Sequence, residues 1–161
     1  MASPGQPSFT DTLFIRDHCL CLHAQRAARV LARRFDEAFR PFGITSGQFS
    51  LLNALNRPKA AAMADVARLL AMDRTTLTAA LKPLERAGLV TVGPDKHDRR
   101  KRLLALTPAG RMVLEAAMPV WRSEHAAIET WLDDGDRLRA GLAVLGGSGL
   151  ALADKTEEAS A

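Results

Sequence analysis

The sequence lacks the motifs by which common enzyme classes are recognised. It contains no GxGxxG, GxxxxGK[ST] or HExxH pattern, and its four histidines are not grouped with a nucleophile or a base. The uncharged and largely apolar stretch 140–153 is interrupted by a Gly-Gly-Ser-Gly run, and the N-terminus has no basic and then apolar signal pattern. These absences predict a globular cytoplasmic protein that is not an enzyme, needs no cofactor and does not bind a membrane.

What the sequence does contain is an uneven distribution of charge. The chain has 161 residues, which is one domain's worth, and its net charge is only +4. Residues 57–102 nevertheless carry eleven Lys/Arg and five Asp/Glu, a net charge of +6, whereas the remainder is −2. A basic excess concentrated in one segment indicates a surface for nucleic acid.

The segment 62–106 changes from helical to strand periodicity. Its apolar residues recur twice at helical spacing, first at Val66, Leu69 and Leu70 and then at Leu77, Leu81 and Leu84. Asp73 between them is an N-cap signal, and Gly88 suits a left-handed C-cap. Residues 89–92 and 103–106 then predict two strands around the loop DKHDRRKR, which has a net charge of +3. Two helices and a basic-tipped hairpin predict a winged helix-turn-helix.

A long amphipathic helix is predicted before this module. Apolar residues recur at threes and fours over 10–39, and three arginines form a separate charged stripe there. Gly43 follows the helix, and Thr45 caps a second helix over 46–56. The first helix has more turns than a small winged domain can cover.

Two further helices are predicted after the module. Thr107 and Pro108 begin a helix whose apolar residues alternate by four and three, as in helices that pack side by side. These residues are Leu114, Met118, Trp121, His125, Ile128 and Leu132. The run 133–136 caps a last helix with Leu138, Leu142 and Leu145 on one face. The surplus apolar faces at both chain ends favour a dimer, and the alternative is that they pack within one subunit.

Four segments together resemble the MarR family of transcriptional regulators. They are PFGITSGQFSLLNAL at 41–55, DRTTLTAALKPLERAGLVTV at 73–92, DKHDRR at 95–100 and LTPAG at 106–110. The resemblance covers about residues 10–150 and implies a mainly α fold with a small β-hairpin wing. It divides the chain into a disordered N-terminus, an N-terminal dimerisation helix, the winged helix-turn-helix DNA-binding module, C-terminal dimerisation helices and a disordered tail, at 1–9, 10–43, 44–106, 107–150 and 151–161.

The resemblance also implies what such a protein does. We expect a homodimeric repressor that binds a pseudo-palindromic operator in double-stranded DNA and is released by a small organic ligand, aromatic or anionic. A two-fold protein places two recognition helices one duplex turn apart, which is why the operator would be palindromic. A winged helix that binds a protein partner instead of DNA is the rival interpretation.

The second helix of the module, 75–87, is expected to lie in the major groove. If its leucines face inward, the residues that face DNA are Arg74, Thr75, Thr76, Thr78 and Lys82. Hydroxyl groups can serve phosphates or base edges, and an arginine can bind a guanine through two hydrogen bonds. Structural roles compete with these, since Thr75 could only start the helix and Arg74 could only form an ion pair.

The Asp-x-Arg element of the family's wing falls, by the resemblance, on Asp98 and Arg100. It implies that Arg100 reaches into the minor groove and that Asp98 braces it. Narrow A·T-rich minor grooves attract such an arginine through their negative potential. Arg99, Lys101 and Arg102 would then bind phosphates. An isolated charge run is usually only a solvated turn, but attachment to a helix-turn-helix favours phosphate binding.

The effector site is predicted between the first helix and the winged module. We expect a small organic anion there, touched by His18, Cys21, Gln25 or Arg29. Metal binding by the two histidines and two cysteines of residues 18–23 would need all four on one helical face, which their spacing in a helix does not allow.

The alternative is a thiol-based oxidant sensor. Measured from the Gly-Ile-Thr segment, Cys21 falls where the peroxide-sensing branch of the family carries its reactive cysteine, and neighbouring histidines and arginines favour a reactive thiolate. That branch uses tyrosines around the sulfur, and this chain has none. A cysteine on an apolar helix face is usually just a small hydrophobe. Cys19 and Cys21 are two residues apart, so within one helix their side chains would diverge and could not form a disulfide.

Overall fold

The computed structural model describes residues 7–96, 98 and 100–147. The predicted disordered tail and residues 1–6 of the predicted disordered N-terminus lie outside this part. The described chain forms the helices α1 Phe9–His18, α2 Leu20–Phe39, α3 Ser46–Ala54, α4 Met63–Leu69, α5 Arg74–Arg86, α6 Pro108–Glu129 and α7 Gly135–Leu145. It also forms a 3₁₀ turn, Arg40–Phe42, and the strands β1 Ala61–Ala62, β2 Val90–Pro94 and β3 Arg102–Leu106. The predicted mainly α architecture with a small β wing is confirmed.

The prediction of one continuous helix over 10–39 was wrong, because the helix is interrupted at Cys19. This residue has an extended backbone (φ −75°, ψ 105°) and is both the C-cap of α1 and the N-cap of α2. Its N–H donates to the Ile15 carbonyl at 2.9 Å, and its sulfur accepts the Leu22 N–H at 3.4 Å. The sulfur thus satisfies a backbone donor that the break leaves without a helical partner.

The core lies where α2, α3, α5 and α6 meet. The Phe39 and Phe49 rings stack with centroids 4.6 Å apart, and the Trp121 ring of α6 lies 6.4 Å beyond Phe49. Leu52 of α3 is fully buried, and Thr45 caps that helix as predicted. α3 ends at Ala54 rather than at residue 56. These contacts join the N-terminal helix to the winged module in one body.

The wing is a three-stranded antiparallel sheet in the order β1-β3-β2. The hairpin predicted from residues 89–106 is present, with Val90 opposite Leu106 and Pro94 opposite Arg102. The sequence did not predict β1, where Ala61 pairs with Leu104. Two alanines carry no strand signal by themselves, so this pairing depends on the tertiary fold.

The helix-turn-helix is built as predicted, with one exception. Leu77, Leu81 and Leu84 of α5 are all buried, and so is Val66 of α4. Leu69, which shares the helical spacing of Val66, is instead 56% exposed. α4 has only seven residues and ends at Leu69, so this side chain lies at the helix terminus, away from the core.

The C-terminal helices differ in how much of them is covered. Thr107 caps α6, and its hydroxyl donates to the Gly88 carbonyl at 2.7 Å, which ties the start of α6 to the base of the wing. Leu114 of α6 is buried. α7 is capped by Asp134 within the predicted run and contains no buried residue. Among the described residues, no helix combines the length and the apolar character needed to cross a membrane.

Candidate nucleic-acid interface

The N-terminal turn of α5 is organised by Asp73. Its carboxylate accepts the Thr76 backbone N–H at 2.8 Å and the Thr76 hydroxyl at 2.6 Å. The Thr76 hydroxyl, and after it the Thr76 backbone N–H, hold the pKa of Asp73 below its ordinary value. The carboxylate is therefore ionised at neutral pH and acts as the N-cap of the helix.

The outer face of α5 carries the residues predicted to contact DNA. All of them are exposed, namely Arg74, Thr75, Thr76, Thr78 and Lys82. The Thr78 hydroxyl donates to the Arg74 carbonyl at 2.7 Å, so it is held along the helix. The opposite face is fixed by the three buried leucines of α5. The burial of those leucines leaves the polar first turn facing away from the core.

The wing tip is a compact turn held by Asp98. The Asp98 carboxylate accepts the Arg100 backbone N–H at 3.0 Å, and the Asp98 carbonyl accepts the Lys101 N–H at 2.9 Å. The Lys101 carbonyl in turn accepts the Asp95 N–H at 2.9 Å. The resemblance implies that Asp98 holds Arg100 in place. In this structure it does so through the hydrogen bond to the Arg100 backbone N–H.

The cationic side chains of the wing extend from this turn. Arg100, Lys101 and Arg102 are exposed, and Arg99 lies outside the described residues. β2 packs against α5, so the wing and the predicted recognition helix belong to one packed unit. An exposed polar helix start and a row of exposed cations on one unit can contact both the bases and the phosphates of a duplex.

The predicted effector residues are only partly brought together. On α2, the Gln25 amide donates to the Cys21 sulfur at 3.1 Å, and Arg29 donates to the Gln25 carbonyl oxygen at 3.2 Å. These three residues form an exposed row along one helix face, as their spacing of four requires. His18 lies on α1, where its ring stacks on Phe14 at 4.2 Å. The structure thus unites three of the four predicted residues.

The break at Cys19 changes the geometry that the sequence analysis assumed for the cysteines and histidines of residues 18–23. Both the excluded Cys19–Cys21 disulfide and the excluded metal site had assumed one continuous helix. Cys19 and Cys21 do not lie in one continuous helix, so the helical angle between them no longer applies, although both are free thiols here. Within the described residues, no three His, Cys, Asp or Glu side chains are placed to hold a metal ion.

The structure contains two hollows beside α6 that the sequence did not predict. One, of about 340 Å³, lies between α3, α4 and α6 and is lined by Phe49, Ser50, Asn53, Ala54, Leu69, Leu70, Met118 and Trp121. The other, of about 270 Å³, is lined by residues that include Arg111 and Arg122. Leu69 lies in the wall of the first hollow. Its helical spacing predicted a buried side chain, so its exposure marks the hollow, but the sequence alone did not show that exposure.

The fold and this interface define a winged helix-turn-helix protein. A family model described as the MarR family matches residues 42–101. The structure is similar to that of the Mycobacterium tuberculosis transcriptional regulator MosR in complex with DNA, with 36% identity, coverage of 84% of this chain and 98% of that one, and a TM-score of 0.75. The chain belongs to the MarR family of transcriptional regulators, which are not enzymes, and the resemblance drawn from the sequence is confirmed.

Two curated relatives show the range within the family. The chain is 36% identical over 107 residues to the transcriptional activatory protein BadR of Rhodopseudomonas palustris, an alignment that covers 64% of this chain and 61% of BadR. It is 32% identical over 95 residues to the transcriptional repressor NicR of Pseudomonas putida, with 59% and 60% covered. The matched region thus spans about three fifths of each curated relative.

Proposed function

We propose that this protein is a homodimeric transcriptional repressor that binds a pseudo-palindromic operator in double-stranded DNA and is released by a small organic ligand. The observation that carries the DNA-binding part is that an exposed Arg-Thr-Thr start of α5 and an exposed cationic wing belong to one packed unit. MosR, a relative solved in complex with DNA, has a similar fold over almost its whole length.

DNA binding is tested by titrating the protein into duplex fragments at several salt concentrations. Binding through phosphates releases counterions, so affinity should fall steeply as salt rises. Each wing cation replaced by alanine should lower the slope of log affinity against log salt by about one. A protein-interaction module would show no such slope, which would overturn the proposal.

The homodimer is supported by the terminal helices. Neither α1 nor α7 contains a buried residue, yet α1 exposes Phe9 (75%) and Phe14 (63%), and α7 exposes Val144 (73%) and Leu145 (65%). Apolar side chains concentrated on two helices without a covering element mark an interaction surface. A second copy of the chain supplies the same two helices, which fits a two-fold interface.

The sign of regulation is tested by transcription from an operator-bearing promoter in vitro. The relatives include one named as an activator and one named as a repressor, so family membership leaves the sign open. A repressor should lower transcription in proportion to operator occupancy. Increased transcription at the same occupancy would assign activation instead.

We propose that the effector binds against the α2 row of Cys21, Gln25 and Arg29. Arg29 supplies the positive charge that a carboxylate needs, while the Gln25 amide supplies both a donor and an acceptor. His18 could reach this row only from α1, across the break at Cys19. Aromatic acids should release the operator complex, and Arg29→Ala should weaken that response more than Arg26→Ala, an arginine of the same exposed stripe. Equal responses of the two variants would show that the ligand binds elsewhere, and the hollow beside Trp121 would then be the next site to test.

A thiol-based response is the second candidate, because Cys21 is exposed and its sulfur accepts a hydrogen bond from Gln25. Oxidation would place a polar, bulkier group on α2. Peroxide should then release the operator from the wild type and from Cys19→Ser, but not from Cys21→Ser. If Cys21→Ser responds to peroxide like the wild type, this candidate fails.

A further inference from the structure

We propose that Thr76 and Thr78 read DNA as hydrogen-bond acceptors only, and so select adenine or cytosine, the bases that carry an amino group in the major groove, at the positions that the two hydroxyls face. The inference rests on the proposed DNA-binding function and extends it to the chemistry of the bases recognised. It comes from the direction in which each threonine hydroxyl already donates its proton.

Each of the two protons is committed within the protein. The Thr76 hydroxyl lies 2.6 Å from an Asp73 carboxylate oxygen, which carries no proton at neutral pH and can only accept. The Thr78 hydroxyl lies 2.7 Å from the Arg74 carbonyl oxygen, which is likewise only an acceptor. Both hydroxyls are therefore donors toward the protein, and the lone pairs of both oxygens remain for a partner outside.

Both side chains are exposed on the first turns of α5, which is the part of a recognition helix that meets base edges. A phosphate oxygen cannot donate a hydrogen bond, so it cannot pair with a hydroxyl whose proton is already used. In the major groove, the donors are the 6-amino group of adenine and the 4-amino group of cytosine. Adenine and cytosine are thus the bases that these two hydroxyls can accept from.

Thr75 provides the contrast within the same turn. It is exposed like its neighbours, but among the described residues its hydroxyl has no hydrogen-bond partner. Its proton is free to be donated to a phosphate, which would position the helix without reading a base. The three threonines therefore divide into two base readers and one backbone contact.

The test begins with operators selected by the wild-type protein from random duplex DNA. Each adenine or cytosine of a half-site is replaced in turn by purine or 2-pyrimidinone, which lack the amino group. Affinity is then measured for the wild type and for Thr76→Val, Thr78→Val and Thr75→Val. The serine variants Thr76→Ser and Thr78→Ser retain the hydroxyl, and circular dichroism checks that every variant keeps its helices.

Loss of one amino group should weaken wild-type binding by about 2- to 12-fold, the range of a single hydrogen bond. The valine variant of the threonine that reads this group should bind the unmodified operator as weakly as the wild type binds the modified one. Its affinity should not fall further on the modified operator. The corresponding serine variant should behave like the wild type on both operators. Thr75→Val should weaken binding to all sequences alike.

Three results would overturn the inference while leaving the proposed function intact. The first is an equal loss of affinity for every sequence in Thr76→Val and Thr78→Val. The second is unchanged affinity in both of these variants. The third is a dependence of affinity on the amino groups that disappears only in Thr75→Val. If the wild type binds no duplex at all, it is the proposed function that fails.

Discussion

Asp73 has two structural roles in a single side chain. It caps α5 through the Thr76 backbone N–H, and it fixes the Thr76 hydroxyl through its second oxygen. A capping residue at the start of the proposed recognition helix therefore also sets the hydrogen-bonding state of an exposed side chain that we propose to face DNA. Loss of this carboxylate should affect stability and base preference together.

We expect Asp73→Ala to lower Tm at pH 7, because the N-cap is lost. The folded-state pKa of Asp73 lies below the unfolded-state value, so its stabilisation is present above about pH 4 and is lost as pH falls through the folded-state pKa. The difference in Tm between wild type and variant should therefore vanish in strong acid. Asp133→Ala, which removes a carboxylate that caps no helix, is the control. A difference that persists unchanged in acid would show that the ionised Asp73 carboxylate is not what stabilises α5.

Arg100 is the wing residue with the most specific expected role. If it occupies the minor groove, Arg100→Ala should weaken operator binding by roughly 1–3 kcal/mol while leaving the oligomeric state unchanged. Arg122→Ala, which removes an exposed arginine on α6, is a matched control for loss of one positive charge. An Arg100 variant that binds as tightly as the control at moderate salt would show that the wing does not insert.

The helices α2 and α6 are joined by a partly buried ion pair. Arg34 of α2 donates to Glu124 at 2.5 Å, and its guanidinium lies 4.9 Å from the centroid of the Trp131 ring. The pair links the N-terminal helix, which carries the Cys21 row, to the long helix that follows the wing. It is therefore one route by which a change on α2 could reach the DNA-binding unit.

Arg34→Ala should reduce the free energy of unfolding by about 1–3 kcal/mol, because it removes a charge-assisted hydrogen bond and leaves Glu124 without its partner. Arg33→Ala, on the exposed stripe of the same helix, should stay within about 0.5 kcal/mol of the wild type. Urea denaturation of both variants measures the difference. Equal midpoints would show that the pair contributes nothing to the packing of α2 on α6.

How much could be predicted from sequence differs from element to element. The buried leucines of α5, the hairpin and the caps at Thr45, Asp73 and Thr107 followed from periodicity and local chemistry. The break at Cys19 did not, because neither glycine nor proline marks it and the apolar periodicity continues through it. The two-residue strand β1 and the hollows beside α6 did not either, since they arise only when distant segments pack.

The candidate site shows the same division. The outward residues of α5 followed from the position of its leucines, and their exposure is as predicted. The direction of the threonine hydroxyl bonds could not be predicted, because it depends on the rotamers that Asp73 and the Arg74 carbonyl impose. In the effector region, the predicted grouping of His18 with Cys21 assumed a continuous helix.

For the whole molecule, the proposal assigns dimerisation to the terminal helices and DNA binding to the winged unit. A chain that stops at Asp133 lacks α7 and should lose the dimer, because the apolar face of that helix is removed from the interface. Sedimentation should show a monomer for the truncated chain and a dimer for the full chain. Specific DNA binding should be lost with the dimer, whereas weak, salt-sensitive binding to any duplex should persist through the wing. A monomeric full chain would contradict the architecture.

We propose that two copies of this chain together bind a two-fold symmetric operator. Selection of bound fragments from random duplex DNA, followed by sequencing, tests it most directly. A two-fold dimer should select an inverted repeat whose half-sites lie about 10 base pairs apart from centre to centre, one turn of the duplex. Enrichment of a single unrepeated site, or no enrichment although the protein is folded and dimeric, would contradict it.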